Sequence, residues 1–240
     1  MIKFLIILML IPSLCFGAAS RSYDGTNDKV SHGTDSSLNL TNTDSSLSFW
    51  VKPGSNALNF ERIAIKRVDV DNWGMCGYQF NAAEFWFSYR EGASQVDMSL
   101  GLNTYAIGVW YYVNFQFDTD TGTPGTGTIY VNLNNETLAS ESGVGGGTAD
   151  GFLTGLRSDD GGDFSGQIAY IKKYSVELNA VERAELMWKP EMIPGAKLFA
   201  PYWGDSVEID LSGNGFTGTP SGATTSSDGP PVMLGGGLPL

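Results

Sequence analysis

The residues best able to do chemistry in this chain are aromatic rings interleaved with amides and one guanidinium. Trp86, Ser88 and Arg90 alternate along one segment, Tyr112, Asn114 and Gln116 along a second, and Tyr130 and Asn132 along a third, with Gln79 and Asn81 nearby. Such a set suits a saccharide, whose C–H faces stack on flat rings and whose hydroxyls pair with amide or guanidinium groups. Trp86 is the first candidate, and Arg90, Tyr112, Asn114, Gln116, Tyr130 and Asn132 complete the expected ligand face. The structural alternative is that these side chains form an ordinary polar outer face of a sheet.

Other chemistries have less to work with. A Ser-His-Asp triad would have to use His32, the single histidine, which sits in a Ser/Gly/Asp-rich loop where a solvated side chain is expected. One His and one Cys in the mature chain exclude zinc sites built on His and Cys clusters. The run Gly145 to Gly147 lacks the Lys and helix pattern of a phosphate-cradling loop. Acidic loops at Asp69 and Asp71, and at Asp159, Asp160 and Asp163, read as solvated surface. Asn39-Leu-Thr41 and Asn135-Glu-Thr137 match the glycosylation acceptor pattern.

The elements that must position these residues are strands. From Val109 to Leu133 the chain alternates Tyr111, Val113, Phe115 and Phe117 with Tyr112, Asn114 and Gln116, breaks at a loop rich in Gly, Pro and Asp, and resumes at Thr128. That period of two predicts a long β-hairpin. Alternating runs at Leu47–Val51, Cys76–Phe80, Phe85–Tyr89 and Val96–Leu100 predict further one-sided strands, as do ERIAIKRV and FSGQIAYIKKYSV. Asn179 with Glu182 has the form of a capping box, so one short helix through Val181, Ala184, Leu186 and Met187 is predicted, ending before Pro190.

The 240 residues carry 14 basic and 26 acidic side chains, a net charge of −12. Nucleic acid and anionic membrane surfaces are therefore poor partners. Residues 1–19 read as a signal peptide, with Lys3 ahead of an apolar run and small residues at Gly17, Ala18 and Ala19. A secreted protein, extracellular or periplasmic and without membrane insertion after cleavage, is expected. Cys15 would leave with the peptide, so Cys76 would be a lone thiol, read as a small buried hydrophobe.

Taken in order, YDGTNDKV, LSFWVKP, WYYVNFQFD, TIYVN and FSGQIAYIKKYSVELNAVERAEL resemble the motifs of laminin G-like modules of the concanavalin A-like lectin and glucanase superfamily, over Tyr23 to Leu186. The resemblance implies an all-β fold, a two-sheet antiparallel jelly-roll sandwich with one short helix on its C-terminal side. In it Trp50 and Trp110 have packing roles. It also implies a calcium ion at Asp24 and Asp28, although the Asp that commonly joins them is Ala169 here, and Asn132 stands where an Asp is common. YWGDSVEIDLSGNGFTGT resembles a phrase that usually precedes YDGTND, so this segment either completes the same sandwich in permuted order or begins a second module. Glycosidases of the laminarinase type in the superfamily carry a Glu-x-Asp-x-x-Glu or similar pattern; Glu208-Ile-Asp210 lacks the third carboxylate, and Gln167-Ile168-Ala169 lacks the His of one type of superfamily lyase motif.

The organisation expected is a signal peptide over 1–19, a jelly-roll domain over 20–189, a strand segment over 190–220 completing it, and a flexible tail over 221–240. The function expected is a secreted, non-catalytic binding module for a glycan or a protein surface ligand, with calcium as an optional cofactor. The alternative is a structural or assembly protein, such as a cell-surface or virion decoration domain, whose tail docks on an assembly partner.

Overall fold

The computed structural model describes residues 19–41, 43–55, 61–69, 71–99, 105–120, 125–135, 139–140, 151–155, 162–189, 191–204 and 206–232. The signal peptide up to Ala18, Leu100, the run Gly145 to Gly147, Asp159, Asp160, the acceptor threonine Thr137 and the tail beyond Val232 lie outside the described residues.

The alternating runs form strands where the period of two predicts them. The chain gives β1 (Ser20–Asp24), β2 (Lys29–Ser31), β3 (Ser45–Pro53), β4 (Glu61–Arg67), β5 (Asn72–Gln79), β6 (Glu84–Glu91), β7 (Ser94–Ser99) and β8 (Tyr111–Asp118). It continues with β9 (Thr126–Val131), β10 (Asn134–Asn135), β11 (Ala139–Ser140), β12 (Phe152–Thr154), β13 (Ser165–Tyr174), α1 (Ala180–Trp188), β14 (Ala196–Ala200), β15 (Thr219–Ser221) and β16 (Thr224–Ser226). One sheet runs β10-β9-β8-β3-β13-β1-β16 with β14 also on β13; the other runs β11-β7-β6-β5-β4-β12-β2-β15. Pairing within both is antiparallel, and the two sheets pack as a jelly-roll sandwich.

Phe49 and Val51 of β3, Val113, Phe115 and Phe117 of β8, Phe85, Phe87 and Tyr89 of β6, and Cys76 of β5 are all buried in one core between the sheets. Rings meet across it: Phe87 and Phe115 have centroids 5.4 Å apart, and Tyr89 stands edge-on to Phe117 at 4.8 Å. Pairs of this kind add about 0.5–1.5 kcal/mol each beyond the area they bury. The helix begins as predicted: Asn179 Oδ1 accepts from the backbone N–H of Val181 and Glu182, and Glu182 accepts from the Asn179 N–H.

The C-terminal segment returns to the same sandwich. β14 joins β13 and β16 joins β1 in the first sheet, and β15 joins β2 in the second. Between them the extended residues Glu208 and Asp210 point inward while Val207, Ile209 and Leu211 are exposed. The inversion has a physical cause. Arg21, itself buried, donates from Nε to Glu208 Oε1 at 2.8 Å and from Nη1 to the Ala223 carbonyl at 3.0 Å. Asp210 accepts from the N–H of Phe199, Ser212 and Phe216, and these hydrogen bonds outweigh its burial and hold its carboxyl below the usual range. The expectation that a flexible tail starts at residue 221 fails through Val232. β16 is paired to β1, Ser20 Oγ donates to the Asp228 carbonyl at 2.6 Å, and Val232 packs under α1.

His32 also departs from expectation, being 3% exposed rather than solvated. Its ring stacks on Tyr202 and is hydrogen-bonded through Nδ1 to the Phe216 carbonyl and through Nε2 to the Tyr202 hydroxyl, which meets Thr154 and, beyond it, Tyr23. Burial lowers the imidazole pKa to about 4, so the ring is neutral at neutral pH. Both ring nitrogens are spent on holding the C-terminal segment.

Candidate ligand-binding groove

The structure does not bring the expected ligand face together. Trp86 and Arg90 lie on the outer face of the β5–β6 sheet, whereas Tyr112, Asn114, Gln116, Tyr130 and Asn132 belong to the β8–β9 hairpin of the other sheet. Trp86 is 1% exposed, clustered with Ile65, Trp73, Met75 and Leu153, and its indole lies so close over Gly77 that a Cβ there would come within 2.5 Å of it. Arg90 is partly exposed and pairs with Asp71 at 3.0 Å.

Tyr112, Asn114 and Gln116 are buried because α1 and its lead-in pack on them. Gln116 Nε2 donates to the Leu178 carbonyl at 2.7 Å, and Trp50 Nε1 donates to the Met187 carbonyl at 3.0 Å. The Arg183 guanidinium covers the Tyr130 ring, 3.8 Å from its centroid. Asn132 sits at a positive φ of 48° after β9 and accepts from the Tyr112 N–H through Oδ1. The polar alternation was real, but in this half of the sheet it meets a helix instead of water.

Two residues further along the same strands the face is open. β3, β13, β1 and β16 are in register so that Lys52 is opposite Gln167, Gln167 opposite Ser22, and Ser22 opposite Thr224. Lys52, Gln167 and Ser22 of this row floor a cavity of about 500 Å³ walled by Pro53-Gly54-Ser55, Ile107-Gly108 and Ser165-Gly166. The walls are pinned by backbone hydrogen bonds, Gly54 N–H to the Ser165 carbonyl at 2.8 Å and Gly108 N–H to the Pro53 carbonyl at 2.7 Å. Gly166 has φ 139°, and a Cβ there would come within 2.3 Å of the Lys52 carbonyl, so the close approach of β13 to β3 requires glycine.

The C-terminal segment holds two of the lining side chains. Asp228 Oδ2 accepts from Lys52 Nζ at 2.6 Å, and its Oδ1 accepts from Trp110 Nε1 at 3.4 Å. The hydrogen bond from Lys52 holds the Asp228 carboxyl below the usual range. Gln167 Nε2 donates to Ser226 Oγ at 2.9 Å, and Ser226 Oγ accepts from the Asp228 N–H, so β16 fixes both the amide and the acid. Beneath the groove Glu61 is wholly buried, accepts from the Ser165 N–H, and is pushed up to about 7 by burial. Lys52, Gln167, Ser22 and Asp228 were missed by sequence reading. A signal existed for Lys52, which shares a face with Trp50 two residues away; none existed for Asp228, which lies in a stretch with the composition of a linker.

The calcium expectation at Asp24 and Asp28 meets a different neighbourhood. Asp24 is opposite Ser165 on β13, so Ala169 is four residues along that strand, buried beside Trp50 under α1. The acid near the turn is Asp163, which accepts from the Asn27 N–H at 2.8 Å, while Asp28 accepts from the Asp24 N–H at 2.8 Å and Asp24 from the Thr26 N–H. Burial first, and then the charges of Asp24 and Asp163, raise the Asp28 pKa. These oxygens cap their own loop, and among the described residues no group of three or more His, Cys, Asp or Glu side chains is placed to hold a metal ion.

Residues 24–182 match a laminin G family described as the concanavalin A-like lectin/glucanases superfamily. The chain belongs to that superfamily. A search of curated proteins finds no match. Among solved structures, a Bacteroides ovatus protein taken to be carbohydrate-binding superposes with a TM-score of 0.63 at 14% identity, over 90% of this chain and 61% of that one. The chain thus spans less than two thirds of that protein. A heptameric pentraxin of Limulus polyphemus superposes with a TM-score of 0.51 at 12% identity, over 82% of this chain and 94% of that one. At these identities both are likenesses of fold. The superfamily assignment agrees with the two-sheet sandwich and with the motifs read in order from Tyr23 to Leu186. Among the described residues no helix is long and apolar enough to cross a membrane.

Proposed function

We propose that the chain is a non-catalytic carbohydrate-binding module that takes a saccharide in the groove floored by Lys52, Gln167 and Ser22. The observation that carries this reading is the in-register row of Lys52, Gln167 and Ser22 lining an open cavity, with Lys52 paired to Asp228, which also accepts from the Trp110 indole. The row offers the Lys52 ammonium and the Ser22 hydroxyl to a sugar, with the Gln167 amide held between them by Ser226, and the cavity is of the size that small ligands use. The superfamily membership and the fold shared with a Bacteroides ovatus protein taken to be carbohydrate-binding support it. Hydrolysis needs two carboxylates flanking the bond. Among the described residues Lys52 is the one charged side chain lining the cavity itself, and Glu208 and Asp210 are buried and already bonded, so the reading is binding without turnover. Secretion follows if residues 1–19 act as a signal peptide.

A glycan array probed with wild type, Gln167→Ala and Lys52→Ala tests this. Binding by wild type and its loss in both variants, with melting unchanged, is the expected result. No glycan bound, or binding indifferent to both substitutions, would overturn it.

A further inference from the structure

We infer that the groove selects an uncharged, hydroxyl-rich saccharide and rejects acidic ones, and that Asp228 of the C-terminal segment is the selecting residue. The inference rests on the groove being the saccharide site.

A groove built for a carboxylate or sulfate presents unneutralised cations. Here the single cation lining the cavity among the described residues, Lys52, is paired with Asp228 Oδ2 at 2.6 Å. The Asp228 backbone is held from two sides, its N–H by Ser226 Oγ and its carbonyl by Ser20 Oγ, so the carboxylate is fixed beside the lining residue Lys52. Both partners reach solvent, with side chains 27% and 45% exposed, so the pair faces a ligand without being hidden from it.

What the pair presents is mixed. The ammonium keeps donors beyond the one given to Asp228, and the carboxylate keeps acceptor capacity beyond Lys52 and Trp110. Next in the row come Gln167 and the Ser22 hydroxyl. A sugar hydroxyl donates and accepts at once and complements such a surface at every position. A carboxylate or sulfate only accepts; it would gain no free cation, would face Asp228, and would approach a chain of net charge −12.

The test is a titration of the full chain with neutral hexose and pentose oligosaccharides and with their uronate-containing and sulfated counterparts, for wild type, Asp228→Asn and Lys52→Gln. Wild type should favour the neutral member of each pair by about tenfold or more, with little change on adding salt. Asp228→Asn releases the Lys52 charge, so acidic glycans should gain about tenfold and that gain should vanish at high salt. Lys52→Gln, which keeps a donor and adds no cation, should bind no acidic glycan. Wild type preferring acidic glycans, or Asp228→Asn leaving the neutral-to-acidic ratio unchanged with its melting intact, would overturn the selectivity while the groove stands as the site. If Asp228→Asn does not fold, the wild-type preference and the Lys52→Gln titration decide alone. Wild type binding no glycan of either class would overturn both readings.

Discussion

The outer face of the β10–β16 sheet has two halves that share strands and differ in what packs on them. At one end Trp50 of β3 and Tyr112, Asn114 and Gln116 of β8 are buried beneath α1; at the other Lys52 of β3 and Gln167 of β13 line an open groove. The divide falls between the opposed pairs Lys52–Gln167 and Trp50–Ala169, just ahead of Tyr170, whose φ of 53° marks the irregularity where β13 passes from pairing with β1 to pairing with β14. After Tyr174 the chain leaves the sheet, and Leu178, Leu186 and Met187 bring an apolar stripe back over it. A polar residue on the outer side of a strand is thus exposed or covered according to the next element, which the strand itself does not encode.

The largest separation of the two halves should come from Trp50→Ala set against Gln167→Ala. Trp50 is 2% exposed and its indole N–H holds the end of α1, so its truncation should cost about 3–5 kcal/mol in denaturant unfolding while the folded fraction still binds glycan. Gln167→Ala should change stability by less than about 1 kcal/mol and remove binding. Loss of binding in a fully stable Trp50→Ala protein would mean that the covered half, and not the groove, meets the ligand.

A difference in pH dependence comes next. Lys172 and Lys173 are buried on the covered half of β13, where Lys172 Nζ donates to the Leu186 and Lys189 carbonyls and Lys173 Nζ to that of Tyr174. Burial pushes both ammonium groups down to about 7. Between that value and the ordinary lysine range near 10.5, the unfolded chain holds protons that the folded chain does not, so stability rises with pH, by at most about 1.4 kcal/mol per unit for each lysine. Glu61, under the open half, is raised to about 7; from about 4.5 to 7 the folded chain holds its extra proton, and stability falls as pH rises. His32, lowered to about 4 by burial, adds stability from about pH 4 to 6.5 and offsets the Glu61 loss there, so unfolding measured from pH 5 to 9 should show its main change as a rise on the alkaline side of neutrality. Lys172→Met should roughly halve the rise on the alkaline side and leave the acid side alone; an unchanged alkaline slope would mean that the ammonium finds solvent.

How much of this could be read from residues alone follows from the range of the forces involved. The strands and the capped helix were legible because periodicity and capping are local, and Asn179 with Glu182 forms the expected box. The sandwich was legible from motif order. Burial of Gln116 was not, because it depends on Leu178, 62 residues away, and His32 looked like a loop side chain because Tyr202 and Phe216 lie 170 and 184 residues further on. Asp228 was the least legible of all, since pairing with Lys52 spans 176 residues and arises from a tail whose composition predicts no order. The groove is thus assembled from contacts that no local window contains.

Within the covered half, Gln116→Ala should cost about 1–2 kcal/mol. Its amide hydrogen bond to the Leu178 carbonyl is buried, but Arg183 also donates to that carbonyl, which limits the loss to less than a wholly stranded acceptor would suffer. Gln116→Glu is the sharper variant, since the carboxylate cannot donate to Leu178 even though Arg183 lies nearby. Thermal melting of both should rank Gln116→Glu below Gln116→Ala, and the reverse order would mean that a charge pair with Arg183 dominates this contact.

The smallest effect belongs to the other sheet. Arg90→Ala breaks a pair with Asp71 whose side chains are 33% and 51% exposed, a geometry that contributes up to about 1 kcal/mol and fades with added salt. Arg90 lies on the β5–β6 sheet, opposite the face that carries the groove, so glycan affinity should be untouched. The measurement has weight because Arg90 is the partly exposed cation nearest in sequence to Trp86 on that face, and truncating it disturbs the fold little. If Arg90→Ala melts like wild type yet no longer binds glycan, the ligand sits on the β5–β6 face and the open half of the other sheet is ordinary surface. If it binds as wild type does while Gln167→Ala does not, the two halves of one sheet carry the division between fold and function.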